Sequence, residues 1–501
     1  MRAQLLLMLL VTGLQTSAAC TPAALQLRPV EEKCKAAGPS QPRWWHDTVG
    51  YEIFVRSFAD ADADGVGDFE GMRSRLDHLK YLGVDLVWLM PIAESPSYHG
   101  YDVTNYDAVE PDYGTEAQLR AFLAAARLSG IRVITDLVLN HTSVKHPWFR
   151  AVLADPKSPM RERFVFSPTD PGWSQPWGSN RTWHPTPAGD FYYGLFWSGM
   201  PDLNFGSKAV RDEMLAVAKR WLDRGVDGFR LDAIRYLVET GGGAGQADTQ
   251  QTLDYLTRFA DETRNHAPER YLVGEVWADT STVAPYLQRL DSAFDFDMAN
   301  GWVAGANGQD AALVRNVLCQ SATSLPAGRF AAFLTNHDQK RVASQVPRPE
   351  SRELLAFALL TGPGMPWLYY GEEVGMLNGP SNHDRDKRLK MPWKVVEQQR
   401  AQPRSLLSRY RRFIQLRKRF TALRRGGMRV LMLGGDDAVV LLREGPEVLF
   451  VGWNLSESAV DVELPVAGTS GLKAHELSPG STMTGMTLRL APFGYALVEA
   501  R

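Results

Sequence analysis

Cysteine is nearly absent, with three residues in a chain of 501, at positions 20, 34 and 319. A framework of disulfides is thereby excluded, and whether Cys34 and Cys319 pair is left open by the sequence. Net charge is missing too. Lys and Arg number 55 against 57 Asp and Glu, a formal balance of -2, so the chain carries no electrostatic footprint for nucleic acid. There is no internal repeat and no low-complexity tract, and beyond the N-terminal leader no apolar run is long enough to span a bilayer. What the chain does have is rings, 14 Trp, 16 Tyr and 21 Phe, within a hydrophobic fraction of 44% that suffices for a large core. Its length accommodates an α/β barrel, which commonly takes ~250 residues, plus smaller modules.

Met1-Arg2 followed by the apolar run 5–11 reads as a secretory leader, residues 1–19, too short to cross a membrane. Ser17-Ala18-Ala19 before Cys20 resembles a bacterial lipoprotein signal, which implies export and a lipid anchor at Cys20. Ser17 stands where such signals usually have leucine, so cleavage near Ala19 with a free Cys20 is the alternative, and the protein is then secreted. Pro22, Pro29, Gly38, Pro39 and Pro42 mark residues 20–43 as a tether.

From Trp44 onward short apolar strands alternate with helical patterns. Strand candidates span 51–58, 86–92, 133–140, 226–232, 271–277, 293–298, 330–336 and 365–371, with helical stretches such as 119–128, 210–224, 252–265 and 353–360 between them. Eight strands with intervening helices predict an α/β fold, a (β/α)8 TIM barrel built from residues 44–141 and 208–425. Residues 142–207, rich in Pro, Gly and Trp, interrupt the third β/α unit as a small inserted domain. Their aromatics are expected to form mainly the insert's own core, with some left to line a groove. After residue 425 strands with tight turns predict a C-terminal antiparallel β-sandwich domain, 426–501.

The chemistry gathers at strand ends. In Gly228-Phe229-Arg230-Leu231-Asp232, Arg230 and Asp232 lie two apart and so share a face. A cation beside Asp232 is expected to lower its pKa and keep it ionised, as a nucleophile requires. Strand three ends in Asp136, Asn140 and His141, strand five carries Glu275 among apolar neighbours, and strand seven ends in Asn336-His337-Asp338. One such end is equally well an ion pair capping a strand. Four in order converge on the C-terminal mouth of a barrel, where active sites lie. A buried Glu275 is expected to hold a proton opposite an ionised Asp232, the two-carboxylate arrangement of glycoside cleavage, with Asp338 to hold sugar hydroxyls.

On these motifs the chain resembles the α-amylase family, glycoside hydrolase family 13, from about Tyr51 into the C-terminal domain. The resemblance implies Asp232 as nucleophile, Glu275 as general acid and base, and Asp338 as transition-state stabiliser. It implies that Arg230 contacts the nucleophile, that His141 and His337 bond sugar hydroxyls, and that Tyr101 stacks under the sugar. Asp136 and Asn140 then mainly shape the site. Starch-type α-glucans, maltooligosaccharides and cyclodextrins are the implied substrates.

After strand one, Asp60, Asp62, Asp64, the Val66 carbonyl and Asp68 stand at alternating positions, a hard-oxygen cluster suited to Ca²⁺. The loop begins like an EF-hand but has Gly71 at the twelfth position, and an acidic solvated turn is the alternative. Relatives of the oligo-1,6-glucosidases carry calcium on this pattern.

Met200-Pro201-Asp202-Leu203-Asn204 mixes features of oligo-1,6-glucosidases and neopullulanases, which resembles an intermediate group containing exported α-amylases. Ala233 after the nucleophile leans toward α-1,4 bonds, and Tyr98-His99 in place of an Asp-Asn pair leans toward endo action. Arg388 resembles a substrate-contacting arginine of the oligo-glucosidases within a divergent motif.

Overall fold

The computed structural model describes residues 27–381, 383–467 and 471–501. The leader and Cys20, with the expected lipid attachment, lie outside the described residues. Eight parallel strands close into a barrel: Gly50–Ile53, Leu86–Leu89, Arg132–Val138, Gly228–Asp232, Tyr271–Gly274, Ser292–Phe294, Phe330–Phe333 and Met365–Tyr369, with the eighth paired to the first. Each falls on one of the eight segments that the apolar pattern marks, because strands covered on both faces read as nearly continuous apolar runs. Some ends differ. Residues 55–58 form a helical turn rather than prolonging strand one, and Phe296 opens the helix Phe296–Gly308, capped by the Asp295 carboxylate on the Met298 N–H.

Aromatic side chains fill the barrel interior. Trp88, Phe294, Phe333 and Trp367 pack together inside it. Gly50 has no room for a side chain, because a Cβ there would lie 2.4 Å from the Trp367 indole. Around the barrel run amphipathic helices. In Lys208–Arg224 the buried face carries Val210, Met214, Val217, Ala218 and Trp221; Ser207 caps the start, and Gly225, at φ 107°, ends it in the left-handed conformation.

The segment after strand three contains a three-stranded antiparallel sheet, Phe166–Ser167, Trp183–Pro185 and Phe191–Tyr193, around buried Trp183, Tyr193 and Leu195. The C-terminal part pairs a six-stranded sheet with a three-stranded one over a shared apolar core that includes Val440, Phe450, Leu488 and Val498.

One strand of the larger sheet corrects the expected tether. Glu32–Ala36 adds antiparallel to the edge strand Gly427–Leu431, and Cys34 forms a disulfide with Cys319 on the helix Ala311–Ser324. The segment 32–36 alternates in burial, with Lys33 and Lys35 turned outward, so it is a strand that can bury only one face. Flanking prolines and glycines hide so short a signal. Lysines on an edge strand also block further pairing.

The disulfide joins residues 285 apart and fastens the first described strand of the β domain to a barrel helix. Replacing both cysteines by serine is expected to cost about 2–4 kcal/mol of stability. The check is a thermal melt with and without reductant: the wild type falls to the variant's melting temperature on reduction, and the variant does not respond.

Candidate active site

At the C-terminal end of the barrel the register of neighbouring strands brings the charged groups together. Arg230 on strand four stands opposite Asp136 on strand three and Val273 on strand five. Gly228 makes that register possible: at φ 145° it lies against strand five so closely that a Cβ would come within 1.9 Å of the Tyr271 carbonyl oxygen. The Arg230 guanidinium, 1% exposed, then serves three carboxylates at once. It donates to Asp136 at 2.9 Å, to Asp232, and approaches Glu275 at 3.0 Å.

Glu275 follows the end of strand five and is further held by the Ala233 N–H, 3.0 Å from its Oε2. That amide is aimed by a left-handed kink, φ 50° at Ala233, a conformation a non-glycine residue adopts at some cost. Asp338 enters from the strand-seven loop. It is paired with His337 at 3.1 Å and accepts from Arg388 at 2.7 Å. The Tyr101 hydroxyl donates to Asp136 and lies 2.8 Å from His337 Nε2, the two rings stacked at 5.6 Å. All of the site residues singled out in the sequence apart from the aspartate loop therefore meet in one place, His141 included, its ring edge-on to Phe196 at 5.1 Å.

Burial sets the protonation. Five carboxyl groups (Glu52, Asp136, Asp232, Glu275, Asp338) share the cations Arg230, His337 and Arg388. Desolvation pushes Asp136 up to about 7 against the pull of Arg230, and raises Glu275 in the same way, with Asp232 and Asp338 adding to the rise. Asp232 departs from expectation. Burial raises its carboxyl above the ordinary aspartate value, and Arg230 offsets this only in part, since one guanidinium is divided among three acids. The titration of the pair is therefore shared, with Arg230 donating directly to Asp232 and lying 3.0 Å from Glu275. For Asp338, burial is outweighed by His337 and Arg388, which hold its carboxyl well below the usual range. For His337, burial is outweighed by Asp338 and Glu52, which push the imidazole up to about 9. His141 goes the other way, down to about 4 by desolvation, so it is neutral at pH 7 with its Nε2 bonded to no other described group.

Glu52 escapes a reading of strand ends because it lies within strand one, where its carboxylate meets His337 Nδ1. Arg388 is placed by an irregular loop, and its side chain also reaches the Tyr98 hydroxyl at 3.4 Å. Asn140 donates to Asp202 at 2.9 Å, joining the barrel to the insert. Glu275 and Asp338 open on a cavity of 530 Å³ lined also by Tyr236, Trp177 and Trp277. A larger hollow of 690 Å³ beside Glu94, Asp107 and Trp148 contains none of the strand-end groups.

In the aspartate loop, Asp60, Asp62 and Asp68 bring carboxylate oxygens within 4.8 Å of one another, a donor set that fits a hard divalent cation. Asp64 is outside that trio, accepting the Val66 N–H at 2.7 Å, while Ala63 and Gly65 curl the loop at φ 66° and 99°.

Residues 52–394 match the alpha amylase catalytic-domain family. The chain is 34% identical over 418 residues to alpha-amylase 3 of Dictyoglomus thermophilum, covering 78% of this chain and 80% of that protein. It is 32% identical over 535 aligned residues to a trehalose synthase of Pimelobacter sp., covering 88% and 92%. Among solved structures, the alpha-amylase from H. orenii superposes with a TM-score of 0.81 at 33% identity, covering 91% of this chain and all but 1% of that one.

The His337 shift predicts a stability profile. A folded value of about 9 against an ordinary 6.5 is worth on the order of 3 kcal/mol at 1.36 kcal/mol per unit. Because the folded value is the higher one, that contribution is fully present below about pH 6.5 and is lost as pH rises through about 9. Denaturant melts from pH 6 to 10 should show the wild type losing stability across this window and His337→Gln losing much less.

Proposed function

The chain belongs to the alpha-amylase family, glycosidase-type enzymes acting on α-glucans, and from that premise we propose a retaining hydrolase of α-1,4-glucosidic bonds in starch-type glucans and maltooligosaccharides. The observation that carries this reading is that Asp232 and Glu275 sit on one guanidinium, with Asp338 at the mouth of the same cavity.

In the first step Glu275 gives its proton to the glycosidic oxygen while the Asp232 carboxylate attacks C1 of the departing bond, forming a glucosyl ester. Positive charge developing on the ring is met by Asp338, which the His337 and Arg388 cations keep ionised. Neutral His141 and protonated His337 offer hydrogen bonds to the sugar hydroxyls. In the second step the Glu275 carboxylate takes a proton from water as the water oxygen bonds C1 and frees Asp232. The configuration at C1 is inverted twice and so retained.

Two further elements belong to the proposal. Asp60, Asp62 and Asp68 would hold Ca²⁺, which supplies charge compensation that keeps the loop after strand one folded. The leader and Cys20 would export the enzyme and fasten it to a bacterial membrane by lipid, or release it. A second reading, an oligo-α-glucosidase, cyclomaltodextrinase or transglycosylase on the same scaffold, draws support from Arg388, which joins Asp338 to Tyr98.

Asp232→Asn is expected to lower hydrolysis of maltooligosaccharides by on the order of 10⁴-fold or more with the circular dichroism spectrum unchanged. Undiminished turnover, or β-anomeric products in the first minutes of an NMR time course with the wild type, refutes the assignment. For the calcium loop, a chelator is expected to lower the melting temperature, by the equivalent of about 2.7 kcal/mol if free calcium stood at 100 times its dissociation constant. The Asp60→Ala/Asp62→Ala variant should melt at the chelated temperature with or without calcium.

A further inference from the structure

Asp338 also lines a larger cavity, of 930 Å³, walled by residues 340–352 after strand seven and 377–387 after strand eight. Its charge is one-sided. Lys340, Arg352 and Lys387 bring cations to it, and among the described lining residues Asp338 is the one acid. That acid is already engaged by His337 and Arg388. Lys387 donates to the Asp338 carbonyl at 2.8 Å and to the exposed Asp384 at 3.0 Å, which fixes its ammonium close to the active-site carboxylate. Among the described residues no carboxylate pairs with Lys340 or Arg352, and the Arg352 Nε, though buried, meets no acceptor. Acids are not scarce on the helix that carries Arg352, Pro349–Thr361, but its Glu353 is turned to Arg409, at 3.2 Å. The walls are held in place. Asn378 accepts from the Arg341 amide, and its own N–H donates to the Ser344 hydroxyl, both at 2.7 Å, which ties the two segments together. Gly379 lies so near Asp386 that a Cβ would come within 2.4 Å of the carboxylate.

Cations gathered round a hollow without counter-charge repel one another, and a dianion bound among them relieves all of them at once. A phosphate monoester carries a charge of about -1.5 to -2 at pH 7 and offers three strong acceptor oxygens, a match for three donors. Asp338 lines both this cavity and the one beside Glu275, so an anion held here belongs to a molecule that can also reach the acid. We propose that the 930 Å³ cavity receives the phosphate of a phosphorylated α-glucan, with Lys340, Arg352 and Lys387 as its counter-charges, so that the enzyme prefers maltooligosaccharides bearing a phosphate monoester near the scissile bond over neutral ones. The inference rests on the hydrolase reading above and adds a substrate class to it. No bond to phosphorus forms or breaks. The ester is a handle, and its binding energy lowers the barrier at C1 because the same contact persists into the transition state. An exposed lysine alone would contribute little, and it is the enclosure of three cations that makes the contact selective.

The test uses the full-length protein with maltopentaose monophosphates, and the same material after phosphatase treatment as the neutral substrate. The readout is the ratio of kcat/KM for the phosphorylated substrate to that for the neutral one, in which the fraction of folded protein cancels. In the wild type this ratio should be about ten or more at low salt and fall as salt is added. Lys340→Ala/Arg352→Ala should bring it to about one. Lys157→Ala, which removes an exposed lysine of the insert outside the cavity, should leave it at the wild-type value. Inorganic phosphate should raise KM for the phosphorylated substrate and leave the neutral one unaffected. A wild-type ratio of one or less, or an unchanged ratio in the double variant, overturns the phosphate cavity and leaves the hydrolase reading standing. So does inorganic phosphate that speeds neutral hydrolysis in the wild type but not in the double variant, which marks a site for the free ion. Failure of the wild type to cleave either substrate overturns both.

Discussion

A guanidinium buried among three carboxylates is the constraint around which the barrel mouth is arranged. Arg230 alone would be costly to bury, and Asp136, Asp232 and Glu275 alone would repel one another. Together they are tolerable only if the three strands that carry them keep one register. The register depends in turn on Gly228, which lets strand four touch strand five without a side chain between them. Stability and chemistry are thus coupled through one residue. Division of its charge leaves the acids short of compensation, and the shortfall appears as the raised carboxyls of Asp136 and Glu275.

The same division shows what a linear reading misses. Alternation in a strand was enough to place Arg230 and Asp232 on one side, and the four charged strand ends were enough to predict a common pocket. The sign of the shift at Asp232 was not legible. It depends on how many other acids claim the arginine, and Asp136 and Glu275 are 94 and 45 positions from Arg230 in the chain. Glu52 was hidden for a different reason: a single glutamate inside an apolar strand looks the same whether it faces water or His337.

Local signals fail where the partner is remote. The barrel strands announce themselves because each is apolar on both faces, and the C-terminal strands because turns follow one another closely. The stretch 32–36 has neither mark. Its order comes from pairing with residues 428–431 and from a disulfide to Cys319, contacts that only the folded chain brings together. Composition likewise counts the insert's rings without sorting them. Trp183 and Tyr193 disappear into its core, while Trp177 turns toward Tyr236 across the domain boundary.

That sorting separates two kinds of work around Glu275. On one side lie groups that stabilise charge, fixed by the barrel: Arg230, His337, Asp338 and Arg388. On the other lie rings that offer surface, supplied partly by the insert and partly by the loops after strands four and five. The charged side must be rigid to keep its acids in their protonation states, and a change there alters chemistry for every substrate. The aromatic side touches only what arrives next to the acid. A divided site lets the aromatic side change while Asp232, Glu275 and their shared arginine stay as they are.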